Sequence, residues 1–258
     1  MKIMICGKGG CGKSTISVLM AKALSSRYRV YLVDSDESNT LLPKMLGVNP
    51  PKPIVDYLGG RDTIFKRGEV NIVNALAKAG KGVRLRDLPE EYIAASREGV
   101  RLVTIGKVRE FGEGCACPLN FLTRTLLKNL VLDKDEIVLV DTDAGIEHVG
   151  RGVEEGSDAI LTVVDPSAEA LDLAKNLKET IQNLNKEFWL VLNKATPRIT
   201  RLIEKKSEQM NLEVDGVIRY DEEIFESCLE GGKLAGKEST SDVEQILETI
   251  DLLEKRHG

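Results

Sequence analysis

The chain opens Met1-Lys2-Ile3-Met4-Ile5-Cys6-Gly7-Lys8-Gly9-Gly10-Cys11-Gly12-Lys13-Ser14-Thr15. An apolar run is followed by a glycine-rich loop, then a lysine and a hydroxyl, and then Thr15–Leu24 with helical periodicity. Gly7-x4-Gly12-Lys13-Ser14 satisfies the phosphate-loop pattern, in the strand–loop–helix context that the chemistry needs. Glycines let the backbone curl so that N–H groups and the positive end of the helix point at phosphate oxygens. Lys13 can then bridge the β- and γ-phosphates, and Ser14 can ligate Mg²⁺. Gly7, Lys8, Gly9, Gly10, Cys11, Gly12, Lys13, Ser14 and Thr15 are therefore the expected nucleotide-binding residues.

Outward from this loop, short β-rich runs ending in Asp or Gly alternate with segments of helical period. Strands are expected near Lys2–Cys6, Val30–Val33, Val100–Ile105, Ile137–Val140, Ala159–Val164, Phe188–Leu192 and Val214–Ile218. The pattern implies the α/β class, with a mostly parallel central sheet and helices on both faces. Leu171, Ala174, Leu177, Ile181 and Leu184 form one buried helical stripe. A last helix is expected from a capping box at Ser241 and Glu244, with Val243, Ile246, Ile250 and Leu253 on one face. Residues 1–258 are expected to form one domain. Pro50, Pro51 and Pro53 open an aperiodic stretch, about 49–99, that reads as an insertion within it.

Composition narrows the function classes. With 258 residues, 42% hydrophobic and 30% charged, the chain can bury a core without disulfides. Met1–Cys6 reads as a strand rather than a signal peptide, which gives an expected cytoplasmic location. A net charge of −5 offers no footprint for nucleic acid. No apolar run is long enough to span a bilayer, and the terminal Leu252–Gly258 segment is too short and too acidic upstream for a membrane anchor.

Asp34-Ser35-Asp36 follows one expected strand and Asp141-Thr142-Asp143 another, at the edge where a parallel sheet binds ligands. Carboxylates there can hold magnesium-bound waters and orient an attacking water. Asp36 is assigned to the water, and Asp34 and Asp141 to the neighbourhood of the metal. With Lys13, Asp36 forms the expected catalytic pair; a part for Lys8 rests on the family resemblance given below. Helix and turn capping by the same aspartates is the alternative. Asn193-Lys194 ends another strand, where an amide can both donate to and accept from a purine edge.

Five cysteines in a reducing compartment point away from a disulfide framework. Cys115-Ala116-Cys117-Pro118 offers a two-thiolate bite suited to Zn²⁺, Ni²⁺ or Cu(I), with redox-active or unliganded thiols as the alternative. A tetrahedral thiolate centre needs four ligands, so a twofold dimer donating one pair per protomer is the simplest completion. Cys6 and Cys228 read as core residues, Cys11 as packing beside the phosphate site, and His148 as a structural histidine. His257, at the terminus, carries no expectation.

Lys8-Gly9-Gly10-x-Gly12-Lys13-Ser14 resembles the deviant Walker A signature of the MinD/ParA and nitrogenase iron-protein superfamily. The resemblance implies ATP as the nucleotide and a Lys8 that reaches across a dimer to the partner's phosphates. It also makes Asp34–Asp36 a switch I, Asp141–Gly145 a switch II, and Asn193 a base contact. Gly114-Cys115-x-Cys117, together with the run Asp141–Gly152, Asn193-Lys194 and Gly216–Tyr220, resembles the CooC family, ATPases that mature nickel-containing carbon monoxide dehydrogenase. That resemblance implies a homodimer holding Ni²⁺ or Zn²⁺ at its interface, coupling ATP hydrolysis to nickel insertion into carbon monoxide dehydrogenase or a related enzyme. Cys11, where relatives often carry Val, and Arg219, where they commonly carry Pro, depart from the pattern. Two other readings are an iron–sulfur electron donor and a MinD/ParA-like positioning ATPase. Cluster proteins of the first kind take cysteines from separated loops, unlike this single C-x-C.

Overall fold

The structure, a computed structural model, describes residues 1–77, 82–107, 117–143 and 154–253, with the Phe65 side chain excepted. Cys115, the run 144–152 with His148, and His257 lie outside the described residues, so the expectations for them are not addressed by the structure.

The strands are β1 (Lys2–Gly7), β2 (Arg29–Asp34), β3 (Ala94–Ala95), β4 (Arg101–Thr104), β5 (Glu136–Asp141), β6 (Ala159–Val164), β7 (Glu187–Ala195) and β8 (Gly216–Arg219). They join in one sheet of order β3-β4-β2-β5-β1-β6-β7-β8. Every pair is parallel except β3 with β4. The helices are α1 (Lys13–Leu24), α2 (Leu42–Leu46), α3 (Ile54–Tyr57), α4 (Arg61–Leu76), α5 (Cys117–Asn129), α6 (Ala168–Gln182), α7 (Pro197–Gln209), α8 (Glu222–Glu230) and α9 (Lys237–Thr249).

Both faces of the sheet are covered, and the side-chain alternation of β1 shows how. Ile3 and Ile5 pack with α1, α2 and α9 on one face, while Met4 and Cys6 pack with α3, α4 and α5 on the other. A strand buried on both sides needs a near-continuous apolar run, which explains why Ile3–Cys6 shows no polar alternation. A third cluster joins β6 and β7 to α6 and α7. β1 lies between β5 and β6, where the direction of winding reverses. The carboxyl ends of β1, β2 and β5 therefore open onto one crevice.

Several expectations need correction. Residues 49–99 build α3, α4, short 3₁₀ turns and the missed strand β3. α4 is kinked at Gly68, so its buried Ile64 and Ile72 come from two helical segments and share no single period. β8 begins at Gly216 rather than Val214. Leu184 lies beyond α6 and is exposed. The capping box at Ser241 is overturned, because α9 starts at Lys237 and places Ser241 inside it. Its first-turn donors are met from α8's start instead: Ser239 N–H donates to Asp221 Oδ2 at 3.0 Å and Lys237 N–H to Glu223 Oε2 at 3.2 Å. Ile250 and Leu253 fall past the end of α9, whereas Val243, Ile246 and Leu247 are its buried stripe.

Candidate active site

The loop from β1 to α1 is shaped by glycine where it turns. Gly7 has φ 148° and Gly12, the residue before α1, has φ 100°. A Cβ on Gly7 would stand 2.2 Å from the Val163 carbonyl oxygen, and one on Gly12 would stand 2.3 Å from Asn193 Nδ2. β7 braces this loop: Asn193 Nδ2 donates to the Cys11 carbonyl at 2.8 Å and Lys194 Nζ to the Gly10 carbonyl at 2.7 Å. Lys13 is buried, with its Nζ 3.4 Å from the Lys8 carbonyl across the loop. The first N–H groups of α1 point into a cleft of about 500 Å³ lined by Lys13, Ser14, Asp36, Asn193, Arg219 and Tyr220 among others.

Parallel pairing sets Asp34 of β2 directly beside Asp141 of β5. Asp141 is fully buried and accepts from Ser14 Oγ at 2.7 Å and Ser17 Oγ at 3.0 Å. Burial pushes its carboxyl up to about 6, against the pull of those two hydroxyls. Asp34 is also fully buried, and burial pushes it up to about 7 although Lys107 Nζ lies 2.8 Å from Oδ1 and 2.7 Å from Oδ2. Asp36 Oδ1 accepts from Ser38 N–H at 2.8 Å, Ser38 Oγ at 2.7 Å and Asn39 N–H at 3.1 Å, which folds the loop after β2 into an Asx turn. Asn39 Nδ2 then donates to Ser14 Oγ at 2.8 Å. Ser14, Asp36 and Asp141 are thus brought together on the crevice, and Asp34 stands behind them against Lys107.

Lys8 forms an ion pair with Glu169 in the first turn of α6. Thr15 Oγ1 lies 3.9 Å from Cys228 Sγ. Cys228 is exposed at the rim of the cleft, which overturns its expected core role; α8 has no buried residue. Cys6 and Cys11 are buried, and burial pushes both thiols up, Cys6 to about 12. Both are therefore inert protonated core groups. Cys117 is exposed at the first position of α5. Sequence reasoning missed Ser17, Asn39, Lys107 and Glu169. Only Lys107 left a signal, because it closely follows the end of β4 at the same sheet edge as Asp34.

Residues 2–234 match the model of the CobQ/CobB/MinD/ParA nucleotide binding domain. The chain belongs to this family. It is an ATPase of the MinD/ParA type. The chain is 39% identical to an uncharacterized ATP-binding protein of Methanocaldococcus jannaschii, covering 99% of this chain and 100% of that one. It is 33% identical to the carbon monoxide dehydrogenase accessory protein CooC of Rhodospirillum rubrum, covering 87% of this chain and 85% of that protein. In fold it is similar to the septum site-determining protein MinD of Pyrococcus horikoshii, solved with Mg-ADP. The TM-score is 0.67 at 18% identity, with 97% of this chain and 95% of that chain covered. Among the described residues no helix is long and apolar enough to cross a membrane.

Proposed function

We propose that this ATPase is a metal-insertion factor of the CooC kind, which couples Mg·ATP hydrolysis in a homodimer to delivery of nickel into carbon monoxide dehydrogenase or a related nickel enzyme. The observation that carries this reading is the 33% identity to CooC over 87% of the chain, joined to a C-x-C that runs into α5. α5 is itself tied to the loop after β2, because Ser35 Oγ and Thr123 Oγ1 are hydrogen-bonded at 2.9 Å. A change in that loop on nucleotide binding thus has a direct route to the helix that carries Cys117.

Magnesium fits the residues at the crevice. Among the described residues, no three His, Cys, Asp or Glu side chains converge to cage a metal by themselves. That suits a magnesium site completed by phosphates and water. Burial raises the proton affinity of Asp34 and Asp141, a cost that a divalent cation relieves. Ser14 would hold the ion directly and Asp141 and Asp34 its surroundings; the ion neutralises phosphate charge when bound. Lys13 and the α1 N-terminus bind the phosphates, Asp36 orients the attacking water, and Asn193 and Lys194 fix the loop and border the base. Lys8 exchanges Glu169 for the partner's phosphates across the dimer. Each protomer gives Cys115 and Cys117, so nickel or zinc, the cargo, sits on four sulfurs at the twofold axis. No nucleic acid or membrane takes part, and the cycle runs in the cytoplasm within one domain per chain.

The test is nickel and zinc titration of reduced wild type and of the Cys115→Ser/Cys117→Ser variant, with mass measured with and without ATP. One metal per dimer in the wild type and none in the variant is expected. Normal nickel binding and dimerisation by the variant overturns the reading. A brown protein absorbing in the visible blue would instead favour the iron–sulfur electron-donor reading.

A further inference from the structure

We propose that Lys107 is a positioning residue of the magnesium site, an ammonium that holds the loop after β2 so that Asp36 and Asn39 face Ser14. Its Nζ is largely enclosed, with the side chain 15% exposed. It donates to the Asp34 carboxylate and to the backbone carbonyls of Asp36 and Asn39. An ammonium has three N–H groups, and these three acceptors use them all. Two of them are carbonyls of the loop itself. The contact therefore does more than neutralise Asp34, because it fixes the path of the chain between Asp36 and Asn39. A compact, tetrahedral donor suits three acceptors arranged around a point, whereas the planar fork of arginine does not.

The anchor is rigid on its own side. Ile105 N–H donates to the Asp34 carbonyl at 3.0 Å, and the Ile105 carbonyl accepts from Val55 N–H at 2.9 Å. The end of β4 is thereby pinned between β2 and α3, and Lys107 reaches the loop from a fixed base. From the loop, Asn39 Nδ2 reaches Ser14 Oγ at 2.8 Å, and Asp36 closes the turn through Ser38 and Asn39. One cation thus connects β4, the loop after β2 and the hydroxyl that would ligate magnesium. Without it the carbonyls of Asp36 and Asn39 lose their common donor, and Asp34 is left as a buried charge beside Asp141. The inference rests on the magnesium assignment above and is independent of the metal cargo.

The experiment is equilibrium binding of a fluorescent, non-hydrolysable ATP analogue to the full chain over a range of Mg²⁺ concentrations. Binding of the matching ADP analogue in EDTA measures the cation-independent part. For Lys107→Met, the Mg²⁺ concentration giving half-maximal binding is expected to rise at least tenfold, as for loss of a group that orients a metal's ligands. ADP binding in EDTA should stay within twofold. An unchanged Mg²⁺ dependence in folded Lys107→Met, alongside a wild type that responds to Mg²⁺, overturns the proposal alone; a wild type that ignores Mg²⁺ overturns the magnesium assignment instead. Should Lys107→Met fail to fold, Asp34→Asn/Lys107→Met, which leaves no uncompensated buried charge, is compared with Asp34→Asn. A further rise in required Mg²⁺ in the double variant supports positioning, and equality of the two shows Lys107 to be a counter-ion only.

Discussion

Replacing Gly12 by Ala tests how the nucleotide loop is built. At φ 100° and ψ 22° a residue with a Cβ is strained by roughly 1–3 kcal/mol. The new methyl would also stand 2.3 Å from Asn193 Nδ2, which donates to the Cys11 carbonyl at 2.8 Å. Asn193 is buried in the cleft wall, so expelling its amide loses a bond and strands a polar group, a cost of about 1–3 kcal/mol. Partial relaxation overlaps the two costs, and a net destabilisation of about 2–4 kcal/mol is expected. Urea unfolding of the nucleotide-free protein, followed by fluorescence of the sole tryptophan, Trp189, buried in β7, measures it. Asn193→Ala alone should cost about 1–2 kcal/mol, and the double variant should cost clearly less than the sum, because the clash partner is gone. A Gly12→Ala variant within about 0.5 kcal/mol of wild type, or strict additivity with Asn193→Ala, would refute this account of the loop.

Further outcomes are expected elsewhere. Asp141→Asn puts an amide donor against the Ser14 or Ser17 hydroxyl, and ATP turnover in a phosphate-release assay should fall about 10–100-fold. Leu177→Ala on α6 opens a cavity at a fully buried position, at a cost of about 2–5 kcal/mol in urea unfolding. Glu98 is held at about 2 by its hydrogen bond to Lys233, 2.6 Å away, so its folded value lies below the ordinary 4.5. That stabilisation is present above about pH 4.5 and fades as the pH falls through about 2. Exposure limits it to under about 1 kcal/mol. Urea midpoints of Glu98→Gln should therefore trail wild type at pH 6 and converge with it near pH 2.

The sequence carried the parallel sheet because β1, β2, β5 and β6 are buried on both faces, and only unbroken β-branched and aliphatic runs satisfy that. It carried the phosphate loop because glycine, lysine and hydroxyl must lie at fixed local spacing there. It did not reveal β3, two residues long, whose only support is pairing with β4. It placed the start of α9 wrongly because Ser241-x-x-Glu244 has the form of a local cap, while the real N-terminus is satisfied by Asp221 and Glu223 of another segment. The helical setting of Cys228 suggests a core residue, but α8 presents it at the cleft rim.

Features fixed by neighbours along the chain are legible without a structure: the strand–loop–helix unit from Ile3 to Leu24, the strand-end aspartates and the alternation that makes an α/β sheet. Folding in three dimensions sets which distant groups meet at the crevice: Lys107 on Asp34, Ser17 and Ser14 on Asp141, Asn193 on Cys11, and Glu169 on Lys8. These contacts form between groups far apart in the chain, brought together by sheet order and helix packing. Their partners leave no spacing in the sequence to be read.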